Sequence, residues 1–134
     1  LKKRYNYTSI FSEARNYCTR VNINLHPQTI ISNFELRIIK VHHIVFPIAI
    51  TRFCFFHLGQ SVYHTVQTRG IQAEYDNPED RTLKNGIHQL LNIAFVPTED
   101  VTAVYHELYD AAPKLLLDIM EYFSCGFIST VIVL

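Results

Sequence analysis

The chain has 134 residues, a length typical of one domain, and about half of them are apolar with 13% aromatic, which excludes a disordered tail. Twelve basic residues balance twelve acidic ones, so the simplest argument for nucleic-acid binding, a strongly basic surface, is missing. Three widely spaced cysteines, Cys18, Cys54 and Cys125, do not make a disulfide framework.

In chain order, Lys2-Lys3-Arg4 is a small basic run that reads as a solvated terminus, with Tyr5 and Tyr7 near it as candidate stacking rings. Tyr7, Ile10, Phe11, Ala14 and Cys18 recur at helical spacing and predict a helix burying one face. Val21 to Leu25 alternates, and His26-Pro27 breaks the chain after it. Thr29 to Ile31 is short, β-branched and apolar, as in a buried strand. Phe34, Ile38, Val41 and Val45 mark a helical stripe ending at Phe46-Pro47, and His42-His43 fall on its expected solvent side. Ile48 to Phe53 reads as a second strand. Strand, helix and strand in about two dozen residues suggest a βαβ unit with parallel strands, and two strands alone leave open edges.

From Leu58 onward the pattern is helical. Leu58, Val62 and Val66 share a face, and Gly70 fits a C-terminal stop. Asn77-Pro78-Glu79-Asp80 predicts a helix start, followed by the apolar face Leu83, Ile87, Leu90, Leu91 and Ala94. Thr98-Glu99-Asp100 opens another helix with Val101, Val104, Tyr105 and Leu108 inward. Asp110 to Pro113 opens a last one through Leu116, Ile119, Met120 and Phe123. The expected class is α/β and helix-rich: an α/β part over residues 1–57 and a helical part over residues 58–134. No apolar run reaches membrane-span length, and no secretory signal is visible, so a reducing compartment is expected. Leu1 in place of Met and the uncapped Val131 to Leu134 give both ends the look of cuts.

Two features carry chemistry. Asn33 follows the first strand directly, where α/β enzymes place catalytic side chains; it is also a good N-cap for a helix from Phe34. Cys54-Phe-Phe-His57 follows the second strand, and C-x-x-H spacing can put a thiolate and an imidazole on one metal. A structural zinc site needs four ligands, and no second pair completes it. His64 lies on the helix face of His57, but His106 and Cys125 are distant. A Cys-His nucleophile pair lacks an orienting Asp or Asn. A buried Cys and a hydrogen-bonded His account for the same residues. Glu35 and Glu74 are lone carboxylates, and Asp76, Glu79, Asp80, Glu99 and Asp100 read as turn and cap residues.

The string His26 to Glu35 resembles a segment of Mutator-like element (MULE) transposases that ends in Asp-Phe-Glu. Further landmarks agree in order: Val45-Phe-Pro47, Cys54-Phe-Phe-His57-Leu-Gly-Gln-Ser61, Gly70-Ile71, Tyr75, Leu91 to Pro97 and Glu99 to Val101. The similarity runs from about Tyr7 to Phe123. It implies a partial ribonuclease-H-like core, the βαβ remnant, followed by an α-helical insertion. It also implies a DDE triad of acids holding Mg²⁺ or Mn²⁺ for attack on DNA phosphate. The family's second Asp falls on Asn33; its first acid would lie upstream of this chain, and its final Glu downstream of Leu134. Cys54 and His57 match the family's C-x-x-H motif, for which packing and hydrogen bonding are expected rather than a metal or catalytic role.

The expectation is therefore a truncated, catalytically inactive MULE transposase fragment with no cofactor of its own. Its DNA contact is expected to be weak or absent, its partners proteins or missing transposase segments, its location nuclear or cytoplasmic, with no membrane partner. The alternative is a transposase-derived DNA- or protein-binding module without catalysis. A third reading, one segment of a longer active transposase, is opposed by Asn33, which lacks the charge that neutralises a metal.

Overall fold

A computed structural model describes residues 6–129. Among them the chain is helix-rich, with one small two-stranded parallel sheet, and it divides into two compact units, Leu1–Cys54 and Phe55–Leu134. The break falls inside the C-x-x-H motif. Lys2, Lys3, Arg4, Tyr5 and the Val131 to Leu134 run lie outside the described residues.

The first unit opens with α1 (Tyr7–Arg20), capped by Asn6, whose side chain accepts from the Thr8 N–H at 3.1 Å. Its C-terminus closes through Asn22, which adopts φ 63°; the Asn22 N–H donates to Thr19 O and the Ile23 N–H to Cys18 O. This double bond pattern with a left-handed residue satisfies carbonyls that the helix end leaves free, and Asn tolerates that conformation better than most residues. Tyr7 and Phe11 pack inward as expected, whereas Ile10 and Ala14 are exposed, because α1 is covered along a narrower strip than its apolar pattern allows.

Strand β1 (Thr29–Ser32) pairs in parallel with β2 (Ile50–Phe53), with Thr29 opposite Ile50 and Ser32 opposite Phe53. Ile48 and Ala49 precede the strand, and Ile48 is exposed. Helix α2 (Leu36–Val45) connects the strands. Ile30, Ser32, Thr51 and Phe53 form the half-buried face, and Ile30 packs on a core of Val41, Val45, Phe46 and Ala49. The opposite face leaves Ile31 70% and Ile50 55% exposed. Parallel sheets are ordinarily covered on both faces, so this face lacks the cover its apolar residues suit.

One expectation for α2 fails. His43 is exposed, but His42 is buried at 2% exposure. The helix begins at Leu36 and its buried face includes Ile39, Val41, His42 and Val45, a strip rotated from the one drawn through Phe34 and Ile38.

The second unit is helical: α3 (Phe55–Thr68), a short α4 (Gln72–Tyr75), α5 (Thr82–Asn92) running into a 3₁₀ turn at Ile93–Phe95, α6 (Val101–Asp110) and α7 (Lys114–Phe123), continued by a π-helical turn at Ser124–Ile128. Gly70, at φ 72°, ends α3 by the same device as Asn22: its N–H donates to Gln67 O and that of Ile71 to Val66 O. The core gathers Val62, Val66, Leu83, Ile87, Leu90, Val101, Leu116, Ile119, Met120 and Phe123, all expected to face inward. Leu91, Ala94, Val104 and Leu108 are only half-buried. Gly86 lets α5 and α7 close up, since a Cβ there would stand 2.6 Å from Leu116 Cδ2.

The helix expected from Asn77 starts instead at Thr82. Asn77 Oδ1 accepts from the Glu79 N–H at 2.9 Å and Asp80 Oδ1 from the Thr82 N–H at 3.0 Å. These side chains bond the backbone two residues on, which holds successive turns and delays the helix.

Candidate functional site

Asn33 leaves the C-terminal end of β1, and Cys54 leaves that of β2. The Ser32–Phe53 pairing and the 2.9 Å bond from the Cys54 N–H to Ser32 O bring the two strand exits together at one end of the sheet. The first motif singled out in the sequence and the Cys of the second thus share one end of the sheet. Phe34 stacks on Phe53 there, with ring centroids 4.5 Å apart and planes 20° apart.

Asn33 is half-buried, and its Oδ1 accepts from the Glu35 N–H at 3.2 Å. The helix cap is Glu35, one residue before Leu36, and it makes no side-chain capping bond. Asn33 is therefore not the N-cap expected; it fixes the turn that delivers the chain into α2. Ser32 Oγ supports the turn by donating to Asn33 O at 3.0 Å.

Glu35, read in sequence as a lone carboxylate, accepts from the Tyr7 hydroxyl through Oε2 at 3.2 Å. The bond spans 28 positions and ties α1 to the strand exit. It holds the Tyr7 phenol above its ordinary value of 10.0, first through the hydrogen bond and then through the Glu35 charge. Apolar periodicity put Tyr7 on the correct helix face, but no sequence signal pairs it with Glu35.

Cys54 is half-buried and ends the first unit. His57 is exposed in the first turn of α3, its ring edge-on to Phe56 at 5.9 Å between centroids. His64, His106 and Cys125 are exposed, while Cys18 is half-buried. Among the described residues no three His, Cys, Asp or Glu side chains come together as a metal-binding group. The donor set at the strand exits does not fit a hard divalent cation, which favours several carboxylate oxygens. Here there is an amide oxygen engaged by a backbone N–H and a carboxylate engaged by a phenol.

No helix of the described residues is long and apolar enough to cross a membrane. The chain matches no protein-family model, no curated protein and no solved structure.

Proposed function

We propose that the chain is a stretch of Mutator-like (MULE) transposase core and helical insertion, nuclear by descent, whose second acid position carries Asn33, whose own DNA contact is weak or absent, and which does not itself cut or join DNA. The ordered landmarks from His26 to Val101 support the family. The observation that carries the functional reading is the state of Asn33. It stands at the exit of a parallel strand, where a catalytic acid would be useful, yet its side chain is an uncharged amide whose oxygen holds the turn into α2. An uncharged oxygen already engaged by a backbone N–H cannot neutralise a metal pair during phosphoryl transfer.

The test is incubation of supercoiled plasmid with the purified chain in Mg²⁺ or Mn²⁺. No metal-dependent nicking is expected. Nicking that requires metal and disappears in Asn33→Ala would overturn the proposal.

The second reading, a binding module without catalysis, gains one specific support in its protein-binding form. Ile31 and Ile50 stand on an uncovered sheet face, and exposed apolar patches mark interaction surfaces. Light scattering across a concentration series should then show self-association that Ile31→Thr reduces. A monomer at every concentration would count against self-association through this face.

A further inference from the structure

His42 has no part in the strand-exit site, yet among the described residues it is the charged-capable side chain most deeply placed in the first unit. It lies on α2 at 2% exposure, and its Nδ1 is buried without a hydrogen-bond partner. Phe11 of α1 meets the imidazole edge-on, with centroids 5.3 Å apart and planes at 83°. The same Phe11 ring meets Phe46 edge-on at 6.4 Å. The imidazole is thus one wall of the apolar seam joining α1 to α2.

The seam offers an imidazolium little relief. On α2 itself, His43 follows directly and is exposed, as are Arg37 and Lys40. From α1, the Arg15 guanidinium donates through Nη1 to Val45 O at 3.1 Å, bringing a second positive charge to the same helix end. Tyr7 of α1 is engaged with Glu35, and Glu13 pairs with Arg20 at 2.8 Å on exposed side chains. The half-buried sheet face, Ile30, Ser32, Thr51 and Phe53, carries no charge, and Arg52 points to the other face. The carbonyls in the last turn of α2 favour a cation. Burial outweighs them: the His42 imidazole is held below its ordinary value of 6.5, first by desolvation and then by the neighbouring His43.

We propose that His42 is an acid-sensitive latch: the neutral ring holds α1 against α2, and protonation drives it out of the seam and parts the two helices. The balance is one proton taken from solvent, with no bond broken. The neutral state keeps Phe11 and Phe46 packed; the charged state must seek water, because a buried cation without a partner is costly. The sign follows from linkage. With the folded-state value lowered, the unfolded chain binds the proton more readily, so stability is lost as pH falls below the ordinary histidine value and the loss grows down to the folded-state value.

The experiment uses the full chain. Thermal melts by circular dichroism are run from pH 7.5 to 5.0 on the wild type, His42→Phe and His43→Asn, with ¹H–¹⁵N histidine spectra of the wild type at each pH. The wild type and His43→Asn should lose several degrees of Tm on acidification, and His42→Phe should lose clearly less. The His42 resonance should titrate below the exposed histidines, with the Phe11 ring signals shifting alongside. If His42→Phe does not fold, the wild-type titration decides alone. A His42 midpoint at or above those of the exposed histidines, Phe11 signals unmoved through its titration, or a His42→Phe melt as acid-sensitive as wild type would each overturn the latch.

Discussion

Replacing Asn33 by Ala and by Asp separates its structural role from any catalytic one. The Ala variant deletes the acceptor for the Glu35 N–H, a 3.2 Å bond at a half-buried turn. A hydrogen bond of this kind contributes about 0.5–1.5 kcal/mol net. The length of this bond and the partial access of water put the expected loss in the lower half, about 0.5–1 kcal/mol, or a Tm fall of about 2–6 °C. The Asp variant keeps an acceptor oxygen and adds a negative charge beside the start of α2. That charge gains about 0.3–1 kcal/mol from the helix dipole and loses a similar amount to repulsion from Glu35, two residues on. Its stability should stay within about 0.5 kcal/mol of wild type. Urea denaturation followed at 222 nm measures both. An Ala variant as stable as wild type would show that the side-chain acceptor does not hold the turn, refuting the reasoning.

Other outcomes follow from the same packing. Leu90→Ala empties a site at 0% exposure in the helical unit and should cost about 2–5 kcal/mol, read by urea melts; a loss below 1 kcal/mol would mean the core around α5 collapses around the gap. Gly70→Ala forces an L-residue into φ 72° and should cost about 1–2 kcal/mol, although open space surrounds the site; an unchanged midpoint would contradict the left-handed cap. Stoichiometric Zn²⁺ should leave Tm unchanged, consistent with a packing role for Cys54 and an exposed His57; a rise saturating at one equivalent would assign them a metal. The Asp80 carboxyl is held below its ordinary value of 3.8 by hydrogen bonds from the Thr82 side chain, then its backbone. With the folded-state value depressed, that support is full above the ordinary value and drains as pH falls through the folded one. Asp80→Asn should therefore flatten part of the acid limb of a pH titration at 222 nm, and an identical limb would refute it.

The helical half was largely legible because its apolar residues recur at helical spacing: Leu83, Ile87 and Leu90, or Leu116, Ile119, Met120 and Phe123, can share a buried face in only one way. The parallel pairing of Thr29–Ser32 with Ile50–Phe53 followed from the helix between them, since such strands need a crossover. Helix starts were less legible. Asn77 and Asp80 look like caps, but each bonds the backbone two residues on and makes a turn, a choice their side chains leave open. His42 was misplaced because a histidine beside another histidine reads as polar surface, while the packing of Phe11 decides otherwise. Asn33 was found by its position after a strand, but the use of its oxygen depends on backbone geometry that the sequence does not state. The Tyr7–Glu35 bond joins positions with no periodic relation and was invisible for that reason.

The central claim is that the strand exit at Asn33 holds no catalytic metal because its side chain is an uncharged amide that serves the turn into α2. A Mn²⁺ titration of the ¹⁵N-labelled chain tests it directly, since the paramagnetic ion broadens signals near any site it occupies. The account predicts no saturable broadening centred on the amides of Asn33, Phe34 and Glu35 or on the Asn33 side-chain N–H₂. Saturable broadening confined to those signals and to Phe53 and Cys54, lost in Asn33→Ala, would contradict it.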